Sequence, residues 1–319
     1  MKQIIVVAGP TAVGKTKYAI EAAKAFNGEV VSCDSMQLYK YMDIGSAKPT
    51  KDELAQVPHH LVDFVEPKDA FSVAEYQKLA KEAISQIFEN GKTPVIAGGT
   101  GLYLNSILYD MDFSNAEAND ELRKELEREA SEFGPEFLHD KLKSLDEEAA
   151  ERIHPNNVKK VIRAIEGAMA GDKIRDFKNC TQKCKDYDRI LIGLTRDREE
   201  LYDRINLRVD LLVEEGLFDE VEGLLKSGLT EDDIAMKGIG YKDIIGYFNG
   251  QYSKEEAIEL TKKNTRHLAK RQITWFKRYE DIHWINISEF EDDETAIKEM
   301  LLWIKNKSEF TTKVINPTT

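Results

Sequence analysis

Gly9-Pro10-Thr11-Ala12-Val13-Gly14-Lys15-Thr16 follows the apolar run Ile4-Ile5-Val6-Val7-Ala8 and opens a helix-compatible stretch from Lys15 to Phe26. The octet fits G-x-x-x-x-G-K-S/T in the strand–loop–helix context that pattern requires. Gly9 and Gly14 let the backbone curl so that successive amides point inward, and a helix start adds partial positive charge. Lys15 is placed to reach a terminal phosphate, and the Thr16 hydroxyl to sit on Mg²⁺. A di- or triphosphate is the implied ligand; the plainer alternative is a glycine-rich turn before a helix.

Asp34 ends the next short run, Glu29-Val30-Val31-Ser32-Cys33, where an open parallel sheet binds ligands. It is a candidate general base or the holder of a magnesium-bound water; its structural alternative is to cap the next turn. Gln37 is an amide within reach of the same edge, suited to a base or polar substrate group, or to a solvated loop. Thr100 stands among Gly98, Gly99 and Gly101, whose lack of side chains implies close approach to that backbone or simply a tight turn.

Several cations could meet an anion. Arg204 and Arg208, four apart, could close over a diphosphate or pair with Asp203 and Glu199. Lys159, Lys160 and Arg163 share helix faces and suit phosphate contact or a solvated surface. Thr261 to Arg278 holds seven Lys and Arg residues and no acid, interrupted by Trp275 and Phe276. That mixture suits RNA, although the two aromatics also fit a core. His59, His60 and His139 have no ligand spacing with a cysteine and read as structural.

The elements that position these residues follow from patterning. Helical spacing marks Ser72 to Asn90, and Thr93 to Ala97 reads as a buried strand before the glycine turn. This βα alternation is that of a doubly wound α/β sheet. From Asp112 to Asp186 only helices are expected, at Asn119–Phe133, Pro135–Ser144 and Pro155–Ala170, which suggests an inserted lobe. Arg189 to Thr195 resumes the sheet. Helices follow over Arg198–Glu215, Leu217–Lys226 and Ser253–Tyr279, with a loop at Met236–Tyr241. A last strand at Ile282–Ile287 and a helix at Glu294–Lys305 precede a tail expected to fray after Ser308.

The 319-residue chain is 41% hydrophobic and 32% charged, as soluble globular proteins are. It lacks an apolar run of about 18 residues to span a membrane, and the first strand leaves no room for a signal peptide, so a cytoplasmic location is expected. Cys33, Cys180 and Cys184 support neither a disulfide framework nor a zinc site. The net charge of −13 argues against nucleic acid as a total, yet it averages over an acidic stretch from Asp110 to Glu151 and the basic stripe after Thr261. Two rivals share the phosphate loop: a P-loop kinase using a triphosphate, and a nucleotide-gated RNA-binding switch without transfer chemistry.

The segments GPTAVGKT, SCDSMQLY, DIGSAKP, HHLVD, AGGTGLYLNS, RIHPNNVKKVIRAIE, LYDRINLRVD, GLFDEV, MKGIGYKD and KRQITWFKR, in this order, resemble the tRNA dimethylallyltransferase (tRNA isopentenyltransferase) family of bacteria. The resemblance implies a P-loop NTPase-like α/β core with a parallel sheet, over 1–111 and 187–319, and an inserted all-α domain over 112–186 that grips the tRNA anticodon stem-loop. It implies transfer of a dimethylallyl group from dimethylallyl diphosphate to the exocyclic amine of the adenosine 3′ of the anticodon; Mg²⁺ as cofactor and a monomeric state are expected beside it. On this reading the family's phosphate loop falls on Gly9 to Thr16 and its general base on Asp34. The segment Asp34, Ser35, Met36 and Gln37 contacts the target base and its neighbours, and Thr100 lies beside the reacting amine. Arg123, Lys159, Lys160, Arg271 and Gln272 fall on tRNA contacts, and Arg163, on the same helix as the two lysines, is expected to join them. Lys159-Lys160 stands where the family often has Gln-Arg, which keeps phosphate contact and loses a glutamine's hydrogen bond to a base.

Overall fold

The computed structural model describes residues 2–111, 119–171 and 182–308. Cys180, the tail after Ser308 and the expected start of the insertion at 112 lie outside the described residues. The chain divides into two compact units, Met1–Leu108 with Cys184–Thr319, and Tyr109–Lys183.

The first unit runs β1 (Gln3–Ala8), α1 (Lys15–Ala25), β2 (Gly28–Ser32), α2 (Lys51–Leu54), β3 (His59–His60), α3 (Val73–Glu89), β4 (Thr93–Gly98) and α4 (Gly101–Leu108). In the second unit lie α5 (Asp120–Phe133), α6 (Pro135–Leu145), α7 (Glu147–Arg152) and α8 (Val158–Met169). The first unit then resumes with β5 (Asp188–Thr195), α9 (Arg198–Glu214), α10 (Leu217–Lys226), α11 (Tyr241–Phe248), α12 (Lys254–Phe276), β6 (His283–Asn286) and α13 (Asp293–Lys307).

Six parallel strands lie in the order β3-β2-β4-β1-β5-β6. All six residues of β1 are buried, as a central parallel strand covered on both faces demands. The connection from β1 departs toward β2, and the one from β4 returns past β1 to β5. These neighbouring strands therefore leave a crevice outside their carboxyl ends, the place where such sheets bind ligands. The ladder ends almost flush there, with Ala8 opposite both Gly98 and Gly193.

Caps account for the helices that the sequence marks well. Ser72 with Glu75 and Ser253 with Glu256 form reciprocal capping boxes at the starts of α3 and α12. The Tyr241–Phe248 helix is absent from the sequence reading, which has a loop up to Tyr241. Its N-cap is Gly240 at φ 90°, and Asp243 reaches back to accept from the Gly240 amide, so no Ser, Thr, Asp or Asn marks the start. Short α7 is likewise unanticipated, begun where Asp146 accepts from the Ala149 amide.

The helical unit has a core of its own, in which Leu126, Leu138, Leu142, Val161 and Ile165 are wholly buried. No described helix is long and apolar enough to cross a membrane.

Candidate active site

The loop between β1 and α1 is held open by cations on its carbonyls. Lys15 Nζ donates to Pro10 O at 2.8 Å, Arg204 Nε to Ala12 O at 3.2 Å and Arg196 Nε to Val13 O at 3.3 Å. Turning the carbonyls outward leaves the amides of the first turn of α1, which have no intrahelical acceptor, to face a ligand. Gly14 at φ 109° makes the left-handed entry to the helix, and Ala12 at φ 63° shares the strain of the curl. Arg196 is itself fixed by Glu200 and Asp293, and Asp293 also accepts from the Tyr18 hydroxyl. Sequence reasoning missed Arg196; its place directly after β5 was the available signal.

The electrostatics of this pocket favour an anion. Burial, with a smaller contribution from the Arg208 charge, lowers the Lys15 pKa to about 8 against the pull of the nearby Asp34 carboxylate. Burial is also the main cause that lowers Arg208, with Asp34 opposing it. Two desolvated cations thus share one carboxylate, and Arg208 makes no hydrogen bond or ion pair among the described residues. Arg204 is exposed and engaged with the loop. The Cys33 thiol beside Asp34 is pushed up to about 12 by burial, which makes it a poor nucleophile.

Asp34 and Thr100 come together from the ends of β2 and β4. Asp34 Oδ1 accepts from the amides of Met36 at 2.9 Å and Gln37 at 3.4 Å, so the capping role is real. Its Oδ2 has no hydrogen bond among the described residues. The Thr100 hydroxyl accepts from the Ser35 amide at 3.0 Å and lies 3.2 Å from Ser35 Oγ, while the Thr100 amide donates to Cys33 O at 3.1 Å. A Cβ on Gly98 would lie 2.0 Å from Cys33 O, so the two strand ends meet this closely only because position 98 has no side chain. Gln37 is turned toward protein: its Nε2 donates to Ala47 O at 3.1 Å and its Oε1 accepts from the Ser32 hydroxyl at 3.4 Å. Met36 packs on Gly238.

The residues expected to meet RNA divide into engaged and exposed. Arg123 is paired with Glu166 through Nε at 3.1 Å and Nη2 at 2.9 Å, inside the helical unit. Lys159, Lys160 and Arg163 are all exposed on α8. In the basic stripe, Lys262 pairs with Asp210 and Glu259, and Arg266 donates to Asn206. Lys270, Arg271 and Arg278 stay exposed around a recess of about 480 Å³ that His267, Thr274 and Trp275 also line. Phe276 is core, as its alternative reading had it, whereas Trp275 is half-buried with Arg278 4.9 Å over its ring. Gln272, expected to meet tRNA, points inward: its Oε1 accepts from the Thr11 amide at 2.9 Å and its Nε2 donates to Gly99 O at 3.0 Å. The three histidines singled out have protein partners, His59 on Val57 O, His60 on Glu29 and His139 on the carbonyls of Ala150 and Ile153.

Known proteins resemble this arrangement over nearly the whole chain. The family description IPP transferase matches residues 37–279. A tRNA dimethylallyltransferase of Alkaliphilus oremlandii is 55% identical over 301 residues, 94% of this chain and 96% of that one. The crystal structure of the full-length tRNA isopentenylpyrophosphate transferase from Bacillus halodurans matches with a TM-score of 0.73 at 43% identity, covering 96% of this chain and 97% of that one. A eukaryotic dimethylallyltransferase captured acting on tRNA matches with a TM-score of 0.83 at 27% identity, covering 96% of this chain and 79% of that one.

Proposed function

The chain belongs to the IPP transferase family, and on that footing we propose that it transfers a dimethylallyl group from dimethylallyl diphosphate to the exocyclic amine of the adenosine 3′ of the anticodon in tRNA. One observation carries the reading at the level of the site. The cation-lined loop after β1 and the Asp34–Thr100 pair after β2 and β4 open on one crevice, and the Asp34 charge acts on both Lys15 and Arg208.

The loop amides, Lys15, Arg204 and Arg208 take the diphosphate. As the bond between the allylic carbon and the diphosphate oxygen breaks, its electron pair leaves with the diphosphate, where these fixed positive groups stabilise it. The adenine nitrogen forms the new bond to carbon and must shed a proton. Asp34, with one oxygen held by backbone amides and the other available, takes that proton as general base. Thr100, oriented by Ser35, holds the amine from its other side. Reaching this crevice requires the base to be flipped out of its stack.

The donor set also suits Mg²⁺. Thr16 sits in the first turn of α1, and among the described residues no group of three or more His, Cys, Asp or Glu side chains gathers to cage a metal. Magnesium on a phosphate ordinarily keeps few protein ligands. Thr16 would hold the ion, which when bound adds charge neutralisation at the leaving diphosphate.

For tRNA, the Asp34–Gln37 segment is the base-side contact, and Lys159, Lys160, Arg163 and Arg271 are phosphate contacts. Arg123 serves there only by keeping or exchanging its Glu166 partner. The direct test is incubation of radiolabelled dimethylallyl diphosphate with anticodon stem-loop RNA. Label on the adenosine is the expected result; unlabelled RNA with ATP consumed instead would sink the reading in favour of a kinase.

A further inference from the structure

The ladder between β1 and β4 has its last pair at Ala8 and Gly98. Beyond it the two chains separate, one into the diphosphate loop and the other into the turn that carries Thr100. Gln272 of α12 spans them, accepting from the Thr11 amide at 2.9 Å and donating to Gly99 O at 3.0 Å. One side-chain amide thus stands in for the next rung of the sheet, using a donor and an acceptor at once. Among side chains of this length only glutamine can do so: Glu only accepts, Lys and Arg only donate, and Met offers little more than a weak acceptor.

The surroundings fit this rung. A Cβ at Gly99 would lie 2.4 Å from Gln272 Nε2, so a side chain there would displace the amide. One turn further along α12, Trp275 occupies the space beside Gly101, where a Cβ would lie 2.4 Å from its ring. Thr100 is therefore bracketed by two glycines, each packed against the same face of one helix. Among the described residues no backbone hydrogen bond joins the loop to the turn once the ladder has ended.

We propose that Gln272 is a positioning residue for the transfer: it fixes the loop that holds the leaving diphosphate relative to the turn that holds the acceptor amine. The inference rests on the prenyl-transfer reading, since only there must groups on the loop and the turn be aligned along one reacting line. Its consequence is that disrupting the rung slows the chemical step while each substrate still binds.

The test begins with wild-type transfer to stem-loop RNA, whose absence would defeat the prenyl-transfer reading itself. Gln272→Met, Gly99→Ala and the double variant are then compared in single-turnover assays at saturating substrates, with RNA and diphosphate affinities measured separately. Gln272→Met should lower the saturating rate on the order of 10–100-fold, the scale of a small misplacement of reacting groups. RNA affinity should be unchanged. Because both substitutions break the same rung, the double variant should be no slower than the slower single. Gln272→Glu, which keeps the acceptor for Thr11 and loses the donor for Gly99, should also slow the step and guards against a Met variant that does not fold. An unchanged rate in the folded variants, a loss confined to RNA affinity, or losses that multiply in the double variant would each overturn the proposal.

Discussion

Asp34 has its two carboxylate oxygens in different circumstances, and a single substitution separates their tasks. Oδ1 caps the turn by accepting from the Met36 and Gln37 amides, while Oδ2 has no hydrogen bond among the described residues. Asparagine preserves the cap and removes the base, so Asp34→Asn should bind stem-loop RNA as wild type and lose turnover by roughly 10²–10⁴-fold. Turnover left intact would remove Asp34 from proton transfer. Lys15 offers a test of opposite sign. Its pKa is lowered to about 8 by burial, so in the free protein it is charged below that pH and neutral above it. An anionic diphosphate prefers the charged form, and binding above pH 8 must therefore take up a proton. Affinity for dimethylallyl diphosphate should fall as pH rises through 8, with a slope approaching about tenfold per pH unit. Arginine stays charged throughout, so Lys15→Arg should abolish the dependence. Calorimetric titrations on either side of pH 8 check this, and a flat wild-type profile would mean that Lys15 does not titrate in the site.

At the scale of elements, α8 gives the clearest case for RNA contact. Its inner face buries Val161, Ile162 and Ile165, which fixes Lys159, Lys160 and Arg163 outward on the opposite side. Charges presented this way act on phosphates without reading sequence. Replacing Lys159 and Lys160 by Ala should weaken stem-loop binding and reduce its salt slope by up to about one for each phosphate left unneutralised. Diphosphate affinity should not move, and an unaltered slope would make these lysines bystanders. The same helix shows why some of the site was legible in the sequence. Local signals such as an apolar stripe, the Ser253–Glu256 cap of α12, or an apolar run ending in glycines are written within a few residues. The inward use of Gln272 depends on partners 261 and 173 positions away, and no periodicity records them. Arg123 illustrates the same limit: the resemblance implies a tRNA contact there, and no local pattern records that Glu166, 43 residues on, takes its guanidinium. Lys262 and Arg266 belong to the basic stripe by sequence, yet partners on α9 and α12 itself engage them.

For the molecule as a whole, a net charge of −13 sits on a chain whose proposed partner is a polyanion, so binding must depend on where the cations are placed. The acids gather between Asp110 and Glu151, before α8, with exposed Lys124, Arg128 and Lys143 among them, while exposed Lys159, Lys160 and Arg163 stand together on α8. On the proposed reading the two units divide the work in a way that can be separated physically. The helical unit closes its own core around Leu126, Leu138 and Val161. The chain leaves the first unit and returns to it through adjacent residues, the Cys184 amide donating to Leu108 O at 3.0 Å. Replacing residues 109–183 by a short Gly-Ser linker therefore spans almost no distance and leaves the loop after β1, Asp34, Thr100 and Gln272 in place. That variant should fold, bind dimethylallyl diphosphate with wild-type affinity by calorimetry, and fail to label stem-loop RNA. Retained transfer would show that the first unit alone holds the RNA, and loss of diphosphate binding would show that the first unit's crevice depends on residues 109–183.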